Sequence, residues 1–306
     1  MNLLKDLSGI IGVINTPFTN DDRIDTESLK RYVNHSINCG VVGFLVPAIA
    51  AEINKLNRNE RRIIVDTVVK EVAGRVTVIG GASAMDQESR MYYVNELNDL
   101  GCDGVLVNIP YVDEAEYIKQ INEIASLNPK FLMIQDWNFN QYGLPVKVIK
   151  KLFDEVEVFK SLKIEVVPAG VKYSEVIEAT RGKLHVAGGW AGSQMIEGLD
   201  RGVNAFMPTI LHDVYSKIFE LHKNCERERA KNLFYELVPI LAFSHQHVDI
   251  SIHFNKRLVH AQGIFSTPNV REPILPFDKY HEKIADELIG KAIQICESLN
   301  NYRGMI

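Results

Sequence analysis

The stretch Val156-Glu157-Val158-Phe159-Lys160-Ser161-Leu162-Lys163-Ile164-Glu165-Val166-Val167 decides how this chain is read. It has the apolar, β-branched make-up of a short buried strand, yet it carries two lysines. Lysine is depleted in strands and rarely buried without a partner. In an edge strand, lysines guard the open hydrogen-bonding row. In an interior strand, a desolvated lysine becomes a usable amine nucleophile. The choice rests on whether this strand has an edge, and the flanking sequence bears on that.

Apolar runs of the same kind occur at 10–15, 43–47, 76–80, 104–108, 131–135, 184–188 and 204–209. Helical stretches separate them. One spans 26–39, opened by an Asp25 cap and closed by Gly40. Asn57 and Glu60 form a capping box for the next. Others run over 86–100, onward from Tyr111 to about 126, and from Pro145, with proline in the first turn. A glycine-rich segment, Gly188–Ser193, opens a helix to about 201, and a last one ends near 224. Eight strand–helix pairs in roughly 220 residues are the pattern of an α/β fold of the (β/α)8 TIM-barrel type. An open doubly wound sheet matches that spacing less well. The barrel is expected over 1–224. Residues 225–306 read as a C-terminal helical extension packed on it, with Leu233, Phe234, Leu237, Val238 and Leu241 at helical spacing and a kink at Pro239.

The bulk numbers suit this. The 306 residues are 46% hydrophobic and 24% charged, which is ordinary globular composition. A net charge of -5 without a basic stripe argues against nucleic acid as a partner. No apolar run approaches a membrane span, and the first residues lack the apolar run of a signal peptide. Cys39, Cys102, Cys225 and Cys296 are widely spaced, as reduced thiols of a cytoplasmic protein would be.

A closed barrel has no edges, so the edge-guard reading of the lysines weakens. Barrel active sites lie at the C-terminal ends of the strands. With a side-chain period of two, Lys163 shares a face with Ser161 and Glu165, while Lys160 takes the other. Lys163, nearer the catalytic end, is therefore expected in the barrel mouth, and Lys160 among the helices. The remaining strand ends supply Thr16, Glu52, Asn108, Tyr111, Gln135, Asp136, Glu165, Gly188, Gly189 and Met207 as candidates. Each also has a bland reading, as a loop cap or a satisfied polar group.

Several of these residues, in order, resemble a known family. Thr16-Pro17-Phe18 resembles a T-P-F segment. Ala48-Ile49-Ala50-Ala51-Glu52, with Leu56 and Glu60-Arg61, resembles a degenerate G-T-T-G-E…L…E-R. Pro110-Tyr111, Lys163, Gly188-Gly189 and Arg271-Glu272-Pro273 fall where the family has P-Y-Y, its Schiff-base lysine, a glycine after strand seven and a late R-x-P. The chain is thus similar to the dihydrodipicolinate synthase / N-acetylneuraminate lyase family over nearly its whole length. The motifs are individually weak, and their collinearity carries the comparison. The resemblance implies a class I lyase in which Lys163 forms a Schiff base with pyruvate or another 2-keto acid, for aldol cleavage, condensation or dehydration. It implies no metal or nicotinamide cofactor, a small 2-keto-acid or sugar-acid substrate, and a homotetramer or homodimer. It places Lys163, Gln135 and Asp136 in catalytic positions. Thr16, Ile49, Ala50, Glu52, Tyr111, Glu165, Gly188, Gly189 and Met207 fall in substrate-binding ones.

The departures are specific. Ile49 and Ala50 stand where the family has hydroxyl-bearing threonines. Val112 replaces its second tyrosine. Gln135, which has no usable proton, stands where the family has a general-acid tyrosine. The arginine that synthases use for their second substrate is not evident in 139–143. These point away from a housekeeping dihydrodipicolinate synthase. Asp136, Glu165, Tyr111 or a water is left to move protons, and a carboxylate in a dry site is expected to rise toward neutral pH. Asp136 and Glu165 equally read as salt-bridge partners of Lys163 or Lys172.

Other chemistries remain open on sequence. Glu52, Asp136 and Glu165 could hold Mg²⁺ as hard oxygen ligands. Gly188–Ser193 could receive a phosphate. The chain could also be a non-catalytic 2-keto-acid-binding homologue. His245, His247, Asp249 and His253 read as a polar helix junction rather than a metal site. Trp137 and Trp190 flank the mouth, either lining it or packing at its rim.

Overall fold

A computed structural model describes residues 7–303. Eight parallel strands follow one another in spatial order and close on themselves. They are β1 Gly9–Val13, β2 Gly43–Val46, β3 Thr77–Gly81, β4 Gly104–Val107, β5 Leu132–Asn138, β6 Phe159–Val166, β7 His185–Gly188 and β8 Ala205–Phe206. Closure is made by Gly9 opposite Ala205 and Ile10 opposite Phe206. The first four strands are buried along their whole length, as strands covered on both faces must be. The barrel expected from the spacing is the one observed.

Between the strands lie α1 Thr26–Asn38, α2 Arg58–Val72, α3 Gln87–Asp99, α4 Glu114–Ala125, α5 Val146–Glu155, α6 Ala169–Ala179 and α7 Met195–Asp200. The helices α8 His212–Lys223, α9 Arg227–Ser244, α10 Val248–Ala261 and α11 Lys279–Arg303 follow. Capping residues set several starts. Asp25, Asp86 and Asp113 each accept an amide hydrogen from the first turn, and Asn57 and Glu60 complete their capping box. Pro145 is the cap of α5 rather than a residue of its first turn. Pro239 is accommodated inside α9, whose buried positions are Ala230, Phe234, Leu237, Ile240, Phe243 and Ser244, with Val238 exposed.

The chain divides into two compact units. The first holds the segment ending at Ile11, Val42–Val46 and Thr77–Met207; the second holds Gly12–Val41, Pro47–Val76 and the segment from Pro208. Strands β2 to β8 and helices α3 to α7 belong to the first, while α1, α2 and α8 to α11 belong to the second. Cys39, Cys102 and Cys296 are buried and Cys225 is exposed, and none of the four is in a disulfide. Among the described residues, no helix is long and apolar enough to cross a membrane.

Candidate active site

β5 and β6 build the centre of the first unit. Their register pairs Met133 with Ser161, Gln135 with Lys163 and Trp137 with Glu165. The ladder shifts between Leu132 and Met133, skipping Lys160. An extra residue in one strand reverses the phase of alternation beyond it. Ser161, Lys163 and Glu165 consequently share one face with Met133 and Gln135. Lys160 stays half-buried and outside the ladder.

The inward face is polar in steps along β6. Deepest is Ser161, whose hydroxyl meets His185 Nδ1 at 2.7 Å, while His185 Nε2 lies 3.1 Å from the Leu7 carbonyl. A carbonyl only accepts, so Nε2 carries the hydrogen and Nδ1 accepts from Ser161. Burial holds this imidazole below its ordinary pKa, and it is neutral. Next comes Lys163, 6% exposed, with Nζ 3.0 Å from Glu165 Oε2. Gln135 also donates to Oε2, and the Trp190 amide donates to Glu165 Oε1 at 2.8 Å. Burial pushes the Glu165 carboxyl up, but Lys163, Trp190 and Gln135 together outweigh it, and the group sits below the usual carboxylate range. The expected rise toward neutrality is therefore not found at Glu165, because its counter-charge and donors are in contact with it.

Asp136 alternates to the other face of β5. Its Oδ2 pairs with Lys172 of α6 at 2.5 Å, and its Oδ1 accepts the Leu144 amide at 2.9 Å. Lys172 also donates to the Tyr142 and Leu144 carbonyls. Gly143, at φ +70°, lets the loop close on this pair, since a Cβ there would lie 2.2 Å from Asp136 Oδ1. Here burial does raise the carboxyl, against the pull of Lys172.

The glycines after strand seven have steric reasons. A Cβ on Gly189 would fall 2.1 Å from Glu165 Oε1 and 2.2 Å from its Cγ; one on Gly188 would meet Phe206 at 2.4 Å. Beyond them, residues 190–192 form a 3-10 turn and α7 is only six residues long. This differs from the expected helix opening directly on the glycines. The Trp190 amide is occupied by Glu165 and is not open to a phosphate. Met207 is buried, and its amide donates to the Gly188 carbonyl.

A cleft of about 330 Å³ opens beside Gln135. Asn108, Tyr111, Trp137, Asn138, Gln141 and Asp136 also line it. Asn108 donates to the Gln135 carbonyl at 3.1 Å, and the Tyr111 ring lies edge-on to Tyr117. Phe139 connects the two tryptophans, with ring centroids 5.8 Å from Trp137 and 4.4 Å from Trp190.

In the second unit, Thr16 donates to the Ala51 carbonyl at 2.8 Å. Ile49 and Ala50 lie in a 3-10 turn, Ile49–Ala51, and Glu52 follows in the left-handed region at φ 60°. Glu52 is 3% exposed and receives Lys256 on Oε1, with Lys55 at 3.1 Å and the Arg271 amide at 2.9 Å on Oε2. Burial, opposed by Glu52, brings Lys256 down to about 8. His247 caps α10, accepting the Asp249 amide, and His253 stacks on Phe277 at 4.8 Å, as a helix junction would.

The Mg²⁺ reading fails on this geometry. Glu52, Asp136 and Glu165 are each ion-paired to a different lysine. Among the described residues, no three His, Cys, Asp or Glu side chains converge to hold a metal.

The family model described as "Dihydrodipicolinate synthetase family" matches residues 6–292. The chain belongs to this family. Family membership makes the protein an enzyme of the class I aldolase/lyase kind. A 4-hydroxy-tetrahydrodipicolinate synthase of Methanothermobacter thermautotrophicus is 34% identical over 110 residues, 36% of this chain and 39% of that protein. An N-acetylneuraminate lyase of Citrobacter koseri is 23% identical over 314 residues, 96% of this chain and 99% of that one. The crystal structure of dihydrodipicolinate synthase from Rhodopseudomonas palustris superposes with a TM-score of 0.87 at 21% identity, covering 94% of this chain and 98% of that one. At that identity the superposition supports the fold alone.

Two features of the site escaped the sequence. The Lys160 bulge has no sequence signal. Lys256, the partner of Glu52, lies 204 residues away in a helix read only as extension.

Proposed function

We propose that the enzyme is a Schiff-base lyase whose nucleophile is Lys163, acting on pyruvate or another 2-keto acid. The observation that carries this is one buried amine on the inner face of β6, 3.0 Å from a carboxylate and flanked by a residue that opens onto a cleft. The amine adds to the ketone carbon and water leaves. The iminium then accepts electrons from the adjacent carbon, so a bond there can be made or broken. A barrel interior favours this because it fixes the amine and limits water.

The second reactant or leaving fragment is assigned to the cleft. Its lining of Asn108, Asn138, Gln141 and Trp137 offers neutral donors, acceptors and an aromatic face, which suit a hydroxylated chain. With Gln135 in place of a tyrosine, and no arginine in 139–143, we assign an aldehyde or sugar-acid substrate rather than the housekeeping synthase reaction. Asp136 and Glu52 take structural roles, because each is held by a sealed lysine. We further propose a cytoplasmic homotetramer or homodimer, to be checked by mass photometry.

The test is incubation with pyruvate and borohydride, followed by intact and peptide mass spectrometry. Reduction should leave one adduct, on Lys163, absent in Lys163→Ala. An adduct on Lys160, or none with any 2-keto acid, overturns the reading. Trapping without turnover on a panel of aldehydes and sugar acids would favour a non-catalytic binding protein, a reading motivated by Gln135.

A further inference from the structure

Resting on the Schiff-base reading, we propose that Glu165 is the catalytic acid and base of this enzyme, a role that Gln135 cannot fill. Glu165 stands two residues beyond Lys163 on the same face of β6, with Oε2 3.0 Å from Nζ. It is held from both sides, by the Gln135 amide and the Trp190 amide hydrogen. Gly189 leaves the space it needs. Of the other proton-bearing groups of this unit, Ser161 and His185 share the inner face but lie deeper, bonded to each other and to the Leu7 carbonyl. Asp136 is on the outer face with Lys172. The Tyr173 hydroxyl lies 2.9 Å from where a Gly188 Cβ would be, and Gly188 pairs with Ile164, on the face opposite Lys163. The Tyr111 ring packs against Tyr117.

The proton count closes with one carboxylate. Glu165 takes a proton from the Lys163 ammonium, leaving a neutral amine. The amine nitrogen forms its bond to the ketone carbon, and one of its hydrogens passes to the former carbonyl oxygen, giving a carbinolamine. The C–O bond then breaks, and the hydroxyl leaves as water with the proton from Glu165. The products are a cationic iminium and a carboxylate again. Glu165 next removes a proton from the carbon beside the iminium, giving the neutral enamine, and can return it.

The electrostatics favour this traffic. Burial disfavours the Glu165 carboxylate, and Lys163 is the first of the influences that oppose it. Once the amine is neutral that influence is lost, and burial is opposed only by the Trp190 and Gln135 hydrogen bonds, which makes the carboxyl easier to protonate until water has left. Gln135 is a positioning residue, since it donates to the oxygen that works and has no proton to exchange.

The experiment follows deuterium entry into the pyruvate methyl group by NMR, in parallel with borohydride trapping, for wild type, Glu165→Gln and Glu165→Ala. Wild type should trap and exchange. Glu165→Gln should still yield the Lys163 adduct on long incubation, while exchange falls by about 100-fold or more. Formate should restore exchange in Glu165→Ala by filling the vacated space with a carboxylate. If Glu165→Gln does not fold, the formate arm decides. Exchange in Glu165→Gln within about 3-fold of wild type, smaller than a general-acid effect, overturns the proposal. So does exchange in Glu165→Ala that is indifferent to formate, or a wild type that traps pyruvate without exchanging it. A wild type that does not trap at all sinks the Schiff-base reading itself, which distinguishes the two failures.

Discussion

Replacing Lys172 by methionine tests the assignment of Asp136 to structure rather than chemistry. The Lys172 ammonium is inaccessible, ion-paired with Asp136 Oδ2 at 2.5 Å and donating to the Tyr142 carbonyl at 2.6 Å and the Leu144 carbonyl at 2.5 Å. Methionine fills similar space and donates nothing. Asp136, 3% exposed, then keeps only the Leu144 amide. Removing one partner of a buried pair costs about 3–5 kcal/mol. Asp136 can also escape by taking a proton, which caps its own penalty at about 4 kcal/mol at pH 7 for a carboxyl of ordinary pKa 3.8, at 1.36 kcal/mol per pH unit, and lower still because burial already raises it beside Lys172.

The bound carries a pH signature. A carboxyl whose folded pKa is raised contributes stability below its unfolded value and loses it as pH rises through the folded value. The penalty of Lys172→Met should therefore shrink on acidification, from at most about 4 kcal/mol at pH 7 to at most about 1.6 kcal/mol at pH 5, above a pH-independent part from the orphaned carbonyls. Urea denaturation of wild type, Lys172→Met, Asp136→Asn and the double variant at pH 7, 6 and 5 measures this. A penalty below about 1 kcal/mol, or one that does not change with pH, refutes the reasoning. So does an Asp136→Asn protein of wild-type stability that has lost turnover.

Lys256→Met should cost less than Lys172→Met in the same denaturation assay, because Glu52 retains Lys55 at 3.1 Å and the Arg271 amide at 2.9 Å. Gly189→Ala puts a methyl 2.2 Å from Glu165 Cγ, so the carboxylate must swing off Lys163; borohydride trapping should slow by about 10-fold or more, a change set by loss of the acid–base group. His212 is buried between the Ser36 hydroxyl and the Pro208 carbonyl, and burial lowers it to about 3. A base with a depressed pKa contributes stability present above its unfolded value of 6.5 and lost as pH falls toward 3. His212→Asn should therefore flatten the decline in urea midpoint between pH 6.5 and 5, a slope worth roughly 2 kcal/mol.

The barrel was legible because its strands are covered on both faces, which turns each into a short apolar run between capped helices. Lys163 followed from the same logic: a period of two and strand polarity leave one of two lysines inside. What sequence could not give is how buried charges are matched. Asp136 and Glu165 were interchangeable in sequence, both at strand ends and both acidic. They separated only because α6 brings Lys172 to one side of β5, and because Gly189 makes room on the inner face. Strand lengths were also hidden. β5 extends to Asn138 because Asp136, Trp137 and Asn138 find partners in Ile164, Glu165 and Val166, whereas β8 keeps only two residues.

Among the described residues, three buried lysine–carboxylate pairs, one with Asp and two with Glu, differ in access. In Lys172–Asp136 the side chains are 0% and 3% exposed, and in Lys256–Glu52 1% and 0%; in Lys163–Glu165 both are 8% exposed. A sealed pair cannot separate without stranding a charge, so it acts as a clamp, here on the 139–144 loop and on the turn at 49–55. In the proposed mechanism a pair at the open end of a strand is relieved differently: the carbinolamine and the protonated carboxyl are both neutral, and the charges return together as iminium and carboxylate when water leaves. Under the Schiff-base proposal, the residual exposure of Lys163 and Glu165 is where a ketone would reach the amine. The same arrangement that would make them costly as a structural pair would serve the reactive role proposed for them.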